Sequence, residues 1–301
     1  MRFCLTVHVC VRWLRVDTLL NMPELPEVET VRRILERVLV GNKIVRAEIA
    51  DDEIVLKKTP KTHVESALLD RTVTNVGRIG KYFWLELDSQ PWVFAHLGMA
   101  GWVRELGAST IRLREHGNAP FEDENGNTRF LKMGLETDQG GRVVMTDGRR
   151  LARIWLCNQP MDDLAISKLS PDWLTNPMDA ATVHARIAKK SAPMKAILLD
   201  QSLFAGVGNW IADEALYQAR IRPNRLGKEM SLSDTEVLID NLVKIIQEAV
   251  ELGADSEKFP KSWLFHYRWG GSKGDELISG REIQRDQIGG RTTAWVPAVQ
   301  V

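Results

Sequence analysis

The sequence predicts an α+β protein with an N-terminal β-sandwich, flanking helices, a helical second half and a C-terminal β-hairpin finger. Apolar residues recur at helical spacing directly after Pro26, which favours a first helix. Runs rich in β-branched and aromatic residues follow between residues 73 and 145, and helical periodicity returns between residues 183 and 249. At 301 residues, of which 44% are hydrophobic, the chain can form two domains with separate cores.

The overall charge does not indicate a polyanionic partner, because 40 basic residues balance 40 acidic ones. Residues 186–229 are locally basic, with eight basic side chains against four acidic ones. A solvated face and a phosphate-binding track explain such a patch equally well. Cys4, Cys10 and Cys157 have neither a disulfide pattern nor zinc-ligand spacing, which is typical of a reducing intracellular compartment.

Residues 1–21 carry three arginines and one acidic residue, and their apolar run is too short to span a bilayer. They fit either an organelle-targeting peptide or an upstream start codon included by mistake. We favour the second interpretation, since Met22 begins a complete helix-start motif without them.

Pro23 and Glu24 directly precede the first predicted helix, in which Pro26 fits the first turn and Gly41 ends the apolar pattern. If translation begins at Met22 and this methionine is removed, Pro23 presents a free secondary amine beside a carboxylate. Such an amine has a pKa of about 8, so an unprotonated fraction can attack an aldehyde-like carbon and form a Schiff base. A peptide bond to Pro23 would make its nitrogen an unreactive amide. The alternative is that Pro-Glu only leads into the helix, with Glu24 favoured by the helix dipole.

The β-sandwich is predicted from short strands at residues 73–76, 82–87, 92–97, 101–103 and 143–145, with the first helix packed on it. Residues 107–128 are polar and lack a usable period, so we expect a long mobile loop there.

The helical half is predicted to begin after a Pro-, Asp- and Asn-bearing linker. Apolar spacing favours helices around residues 183–187 and 194–198, interrupted at Pro193. Two glycines in residues 204–208 permit a tight turn, after which Asn209 is expected to cap a helix whose exposed N–H groups could bind phosphate. A later helix is expected to start at Ser231 or Ser233 and to end near Gly253.

The C-terminal segment is predicted to form two strands, 277–283 and 292–296, joined through Gly289 and Gly290. No cysteine follows Cys157, so a thiolate zinc site cannot form there. The resulting division is an extension (1–21), a β-sandwich domain (22–157), a linker (158–177), a helical domain (178–260) and a finger (261–301).

Six sequence blocks together resemble the formamidopyrimidine-DNA glycosylase (Fpg/Nei) family: MPELPEVETVRR, GRIGKYFWLEL, HLGMAG, TDGRR, LLDQSLFAGVGNWIADEALYQARIRP and GGRTTAWVP. They occur in one order from residue 22 to the C-terminus, so the resemblance covers nearly all of the chain. It implies a helix–two-turn–helix DNA-binding module in the helical domain. Bacterial members carry four zinc-binding cysteines that this chain lacks, so the finger resembles the zincless finger of plant and fungal members.

The resemblance also implies roles for individual residues. Pro23 would be the Schiff-base nucleophile, Glu24 the proton-transfer group, and Lys81 and Arg291 the phosphate contacts that assist catalysis at the lesion. The gap left by an extruded nucleotide would be filled by Met99, Leu151 and one of Arg149 and Arg150, with Arg149 the stronger candidate. Lys195 and Asn209 would bind phosphates. Members of the family usually have phenylalanine where this chain has Leu151, which can wedge but stacks less well. By residue type alone, these positions would be ordinary surface, turn or core residues.

The function implied is that of a bifunctional DNA glycosylase and AP lyase, which removes oxidised purines and cuts the strand by successive β- and δ-elimination. Its partner would be damaged double-stranded DNA, and no metal or organic cofactor would be required. We expect a monomer without membrane association. An intracellular location is expected, in the nucleus if the source is eukaryotic. Two alternatives remain: a Nei-like enzyme for oxidised pyrimidines, and a non-catalytic damaged-DNA-binding protein whose amine is blocked by residues 1–21.

Overall fold

The computed structural model describes residues 22–110, 120–269 and 277–301. The predicted extension, residues 1–21, and the centre of the predicted loop, residues 111–119, lie outside the described residues.

The first half is a β-sandwich of two four-stranded antiparallel sheets, and its core lies between them. One sheet has the order β1 (Ile44–Ile49), β6 (Leu131–Thr137), β7 (Arg142–Thr146) and β5 (Trp102–Glu105). The other has the order β2 (Val73–Ile79), β3 (Tyr82–Leu87), β4 (Trp92–His96) and β8 (Arg153–Cys157). The predicted fold class and all five predicted strands are confirmed. The strands β1, β6 and β8 and the helix α2 (Lys61–Leu68) were not predicted.

Helix α1 (Leu25–Leu39) connects the two halves of the molecule. Its first residue, Leu25, is fully buried in the core of the helical half, whereas Val28, Val31 and Leu35 are buried in the sandwich core. A capping box fixes the helix start, because the Glu24 backbone N–H donates to the Glu27 carboxylate at 3.0 Å. The N-terminal end of α1 is therefore held rigidly where the two cores meet.

The second half contains α3 (Ala180–Ile187), α4 (Met194–Leu198), α5 (Asn209–Gln218) and α6 (Leu232–Glu251). Ser231, one of the two predicted cap residues, caps α6 by accepting a hydrogen bond from the Asp234 N–H. The segment 158–177 contains a short 3₁₀ helix, Pro160–Asp162, and packs firmly, since Trp173 is fully buried. No helix among the described residues is long and apolar enough to cross a membrane.

The finger contains two hairpins rather than the one predicted. Strands β9 (Leu277–Ile278) and β10 (Arg281–Glu282) pair with each other across Ser279 and Gly280, both of which have positive φ. Strand β11 (Gln284–Ile288) pairs with β12 (Arg291–Trp295) across Gly289 and Gly290. The predicted pairing of residues 277–283 with 292–296 is therefore wrong, because the two-residue Gly-Gly turn places Ile288 opposite Arg291. The finger packs on a small apolar cluster of Leu264, Ile278, Ile283, Ala294 and Val296.

Candidate active site

Three segments meet at the start of α1, and glycines allow their close approach. Gly80, in the turn between β2 and β3, packs on the backbone of Gly206, and a Cβ on either residue would lie about 3 Å from the other's backbone. Both glycines have positive φ. The Leu25 N–H donates to the Gly206 carbonyl at 3.1 Å. The turn that carries Lys81 and the turn that precedes α5 are thus joined at Glu24 and Leu25.

The Glu24 carboxylate caps helix α5 from a distant part of the chain. It accepts hydrogen bonds from the backbone N–H groups of Gly208 at 2.7 Å, Trp210 at 2.8 Å and Ile211 at 3.2 Å. Gly208 is the N-cap residue, and a Cβ there would lie 2.3 Å from the Glu24 carboxyl carbon. The prediction that Asn209 caps this helix is wrong. The N–H groups of Trp210 and Ile211, which were predicted to be open to phosphate, are instead bound by Glu24.

A pocket of about 270 Å³ lies beside this junction. Its lining includes four of the predicted site residues, namely Lys81, Met99, Asn209 and Arg291. Pro23 is buried, and Met22, whose carbonyl carbon is bonded to the Pro23 nitrogen, lines the pocket. Loss of Met22 would therefore leave the proline nitrogen at the edge of the pocket.

The two ionisable groups beside Pro23 have opposite pKa shifts. Burial raises the pKa of the Glu24 carboxyl above its ordinary value, although Lys81 and the N–H groups of α5 oppose this rise. Burial also lowers the pKa of the Lys81 ammonium; Arg291 adds to this effect, and Glu24 and Glu27 oppose it. Both shifts disfavour the charged forms of these groups and bring the two pKa values towards each other.

Tyr82 and His96 also line the pocket, although neither was among the predicted site residues. The His96 Nδ1 accepts a hydrogen bond from the Gly98 N–H at 3.0 Å. Burial, followed by the charges of Lys81, Arg153 and Lys57, lowers the pKa of His96 to about 4, so its ring is neutral at pH 7. Their places in the sequence could have indicated them, since Tyr82 directly follows Lys81 and His96 is the first residue of the motif that contains Met99.

Lys195 was predicted to bind phosphate, but the structure buries its side chain fully. Its Nζ donates to the Asp213 carboxylate and, at 2.8 Å, to the Asn209 carbonyl. Asp213 also accepts from Arg268 at 2.7 Å and from the Ala294 N–H of the finger at 3.3 Å. In this arrangement Lys195 joins α4 to α5, and its ammonium group does not reach the surface.

Asn209 contacts the finger from the first turn of α5. Its Nδ2 donates to the Thr292 carbonyl at 3.1 Å, next to Arg291. Its Oδ1 is buried without a hydrogen-bond partner. Asn209 therefore fixes the position of Arg291 relative to α5.

The predicted gap-filling residues lie on two touching turns. Gly98 has positive φ, and a Cβ there would lie 2.4 Å from the Leu151 carbonyl, so the turn with Met99 contacts the turn with Leu151. Asp147 shapes the second turn by accepting from the N–H groups of Leu151 and Ala152, both at 2.6 Å.

The two arginines of this turn are in different situations. Both arginine side chains are exposed, but Arg150 donates two hydrogen bonds to Asp52, at 2.9 and 3.0 Å. This geometry favours Arg149 as the arginine that faces a ligand.

Comparisons with known proteins identify relatives of this chain. The family model of the formamidopyrimidine-DNA glycosylase N-terminal domain matches residues 22–154, and that of the formamidopyrimidine-DNA glycosylase H2TH domain matches residues 169–261. The formamidopyrimidine-DNA glycosylase of Arabidopsis thaliana is 39% identical over 279 residues, which cover 93% of this chain and 71% of the plant protein.

Two solved structures of the Lactococcus lactis enzyme Fpg have the same fold. The complex with DNA containing N7-benzyl-Fapy-dG has a TM-score of 0.74 at 28% identity, and the match covers 92% of this chain and 99% of that chain. The complex with DNA containing an oxidised pyrimidine also has a TM-score of 0.74, at 26% identity and with the same coverage.

Proposed function

Because this chain belongs to the formamidopyrimidine-DNA glycosylase family, we propose that it excises oxidised purines from double-stranded DNA and then cleaves the abasic strand. One observation carries this proposal: the residue bonded to the Pro23 nitrogen lines the same pocket as Lys81 and Arg291, beside the Glu24 carboxylate. An amine, a proton carrier and two cations are what Schiff-base chemistry on a phosphate-linked sugar requires.

The reaction begins when the Pro23 amine attacks the sugar C1′ carbon of the damaged nucleotide. The bond from C1′ to the base breaks, the base departs with a proton, and Glu24 transfers protons as the sugar ring opens. The cationic iminium acidifies the neighbouring sugar C–H bonds. Successive β- and δ-elimination then expel the 3′ and 5′ phosphates, whose charge Lys81 and Arg291 balance.

Extrusion of the damaged nucleotide is assigned to the touching turns that carry Met99 and Leu151. An apolar side chain inserted between base steps stabilises unstacked DNA. Arg149 faces the orphaned base, and Asn209 supports the finger that holds the phosphates. These contacts fix the position of the DNA and carry little sequence information.

The proposal requires a free Pro23 nitrogen, so the decisive experiment compares two N-termini. The full chain and a chain begun at Met22, with this methionine removed, are incubated with abasic DNA and sodium borohydride. The shortened chain should form a covalent adduct, and the full chain should form none. An N-terminally acetylated shortened chain is the matched control and should form no adduct. Absence of an adduct with the free proline would overturn the proposed nucleophile.

The fate of residues 1–21 is tested by the intact mass of the natural protein. A mature N-terminus at Pro23 supports the enzyme, and a retained extension supports the non-catalytic DNA-binding alternative. If residues 1–21 direct transport, the protein acts in a DNA-containing organelle; otherwise, in a eukaryote, it acts in the nucleus.

Oxidised pyrimidines are a second candidate substrate class, because the solved Lactococcus lactis complexes include DNA with such a lesion. The two classes are separated by single-turnover excision from duplexes that differ only in the damaged base. We propose that oxidised purines are excised faster.

We further propose that the finger requires no metal. Apolar packing around Ile278 and Val296 and the hydrogen bonds of Asp213 hold it in place. Preincubation with a chelator should leave adduct formation unchanged, and loss of the adduct that added zinc restores would contradict this.

A further inference from the structure

Phe130 is a large aromatic side chain in a position that packing does not explain. It is 55% exposed and adopts a left-handed backbone conformation, with φ of 57°. Bulky residues rarely adopt this conformation, and it is retained chiefly at functional sites. A residue kept only for packing would be buried, so Phe130 combines backbone strain with an exposed ring.

The ring lies against the turn that carries the gap-filling residues. Phe130 immediately precedes β6 and Asp147 immediately follows β7, and the Asp147 N–H donates to the Phe130 carbonyl at 3.0 Å. A Cβ on Gly148 would lie 3.4 Å from the Phe130 ring, so the ring covers the glycine next to Arg149. Residues 147–151 themselves contain no aromatic side chain.

The Phe130 ring also lies close to a positively charged side chain. The exposed Arg129 guanidinium lies 5.4 Å from the centre of the Phe130 ring. An exposed aromatic face beside an arginine is a common arrangement for stacking on nucleic-acid bases. The Phe130 ring and the Arg129 guanidinium therefore lie beside the turn that would enter an opened duplex.

We propose that Phe130 stacks on a nucleobase adjoining the gap left by the extruded nucleotide, and so supplies the aromatic surface that the turn with Leu151 lacks. This inference rests on the proposed function only in its choice of ligand, an opened DNA duplex. It requires no reactive amine and is therefore tested on the full chain by binding alone.

The test uses a duplex with a chemically stable abasic analogue and 2-aminopurine as the opposite base. Fluorescence anisotropy gives the affinity, and 2-aminopurine emission reports stacking. F130L keeps an apolar side chain without an aromatic face and should bind about tenfold more weakly, with a smaller change in emission. F130W should bind like the wild type. An F130L affinity and emission equal to those of the wild type would overturn the proposal.

Two further variants separate stacking from structural support. F130G relieves the left-handed strain, so its unfolding temperature should equal or exceed that of the wild type while its affinity falls. A lower unfolding temperature for F130G would indicate a packing role and overturn the proposal. L164A removes another exposed apolar side chain, 77% accessible, and should bind like the wild type. An equal loss of affinity in L164A would also overturn it.

Discussion

At the scale of single residues, the position of the Glu24 carboxylate depends on a missing side chain at Gly208. A Cβ there would lie 2.3 Å from the Glu24 carboxyl carbon, far inside van der Waals contact. We expect G208A to displace the carboxylate from the Trp210 and Ile211 N–H groups. General acid–base groups contribute about 10²- to 10⁴-fold to rate, so excision by the shortened chain should fall at least about 100-fold in single-turnover assays.

The matched control is G134A, because a Cβ at Gly134 meets its nearest neighbour at 3.7 Å, an ordinary contact. G134A should retain wild-type excision. Unfolding temperatures of both variants show whether any loss of activity reflects unfolding. A folded G208A protein with wild-type activity would show that the cap formed by Glu24 is not needed for catalysis.

His96 and Arg291 line the same pocket but differ in charge at neutral pH. With its pKa lowered to about 4, His96 is protonated only below that pH, whereas an arginine stays charged. The plot of log affinity against log salt for abasic duplex should therefore have the same slope for H96Q as for the wild type at pH 7. R291A should reduce the slope by about one, as expected for one lost phosphate contact. A reduced slope for H96Q at pH 7 would mean that His96 is protonated in the complex.

At the scale of secondary-structure elements, Glu214 couples α5 to the segment that leads into the finger. It accepts hydrogen bonds from the Phe265 N–H at 2.8 Å and from Gln218 at 2.8 Å. Burial raises the pKa of Glu214 from 4.5 to about 7. Below pH 4.5 the carboxyl is protonated in both the folded and the unfolded chain, so its burial does not lower the free energy of unfolding. As the pH rises to about 7, the unfolded chain releases its proton first, and native stability falls by at most about 3 kcal/mol.

We therefore expect E214Q to gain stability relative to the wild type as the pH rises from 5 to 8. Free energies of unfolding from urea titrations at several pH values measure this difference. E236Q removes an exposed carboxylate of α6 and should follow the wild type throughout. A constant difference between E214Q and wild type across this range would contradict the raised pKa.

Elements with a strong local pattern were predictable from the sequence, and elements fixed by distant contacts were not. Helices α1 and α6 follow from their apolar spacing, and Ser231 has the chemistry of a cap. The cap of α5 could not be predicted, because Glu24 lies 184 residues before Gly208. Lys195 was expected at the surface because its partner Asp213 lies on a different helix. Strand β6 was missed partly because it buries Lys132, which pairs with Asp52 from another segment at 3.0 Å.

At the scale of the whole molecule, one buried ion network joins the sandwich to the helical half. Arg78 of β2 donates to Asp172 at 2.6 and 2.7 Å and to Glu29 of α1 at 2.9 Å. Asp172 also accepts from the Gly80 N–H at 2.8 Å, next to Lys81. The relative position of the two halves and the turn that presents Lys81 therefore depend on the same carboxylate.

Neutralising this carboxylate should affect stability and activity together. D172N leaves the buried Arg78 guanidinium with a single carboxylate partner, Glu29, and breaking a buried ion pair costs about 3 kcal/mol or more. E48Q is the matched control, since Glu48 forms an exposed pair with Arg46 and its loss should cost less than about 1 kcal/mol. Urea titration measures both costs. Single-turnover excision by shortened D172N should also decrease, because the Gly80 N–H next to Lys81 loses its carboxylate acceptor. A D172N protein with wild-type stability would show that shared apolar packing alone, through residues such as Leu25, holds the two halves together.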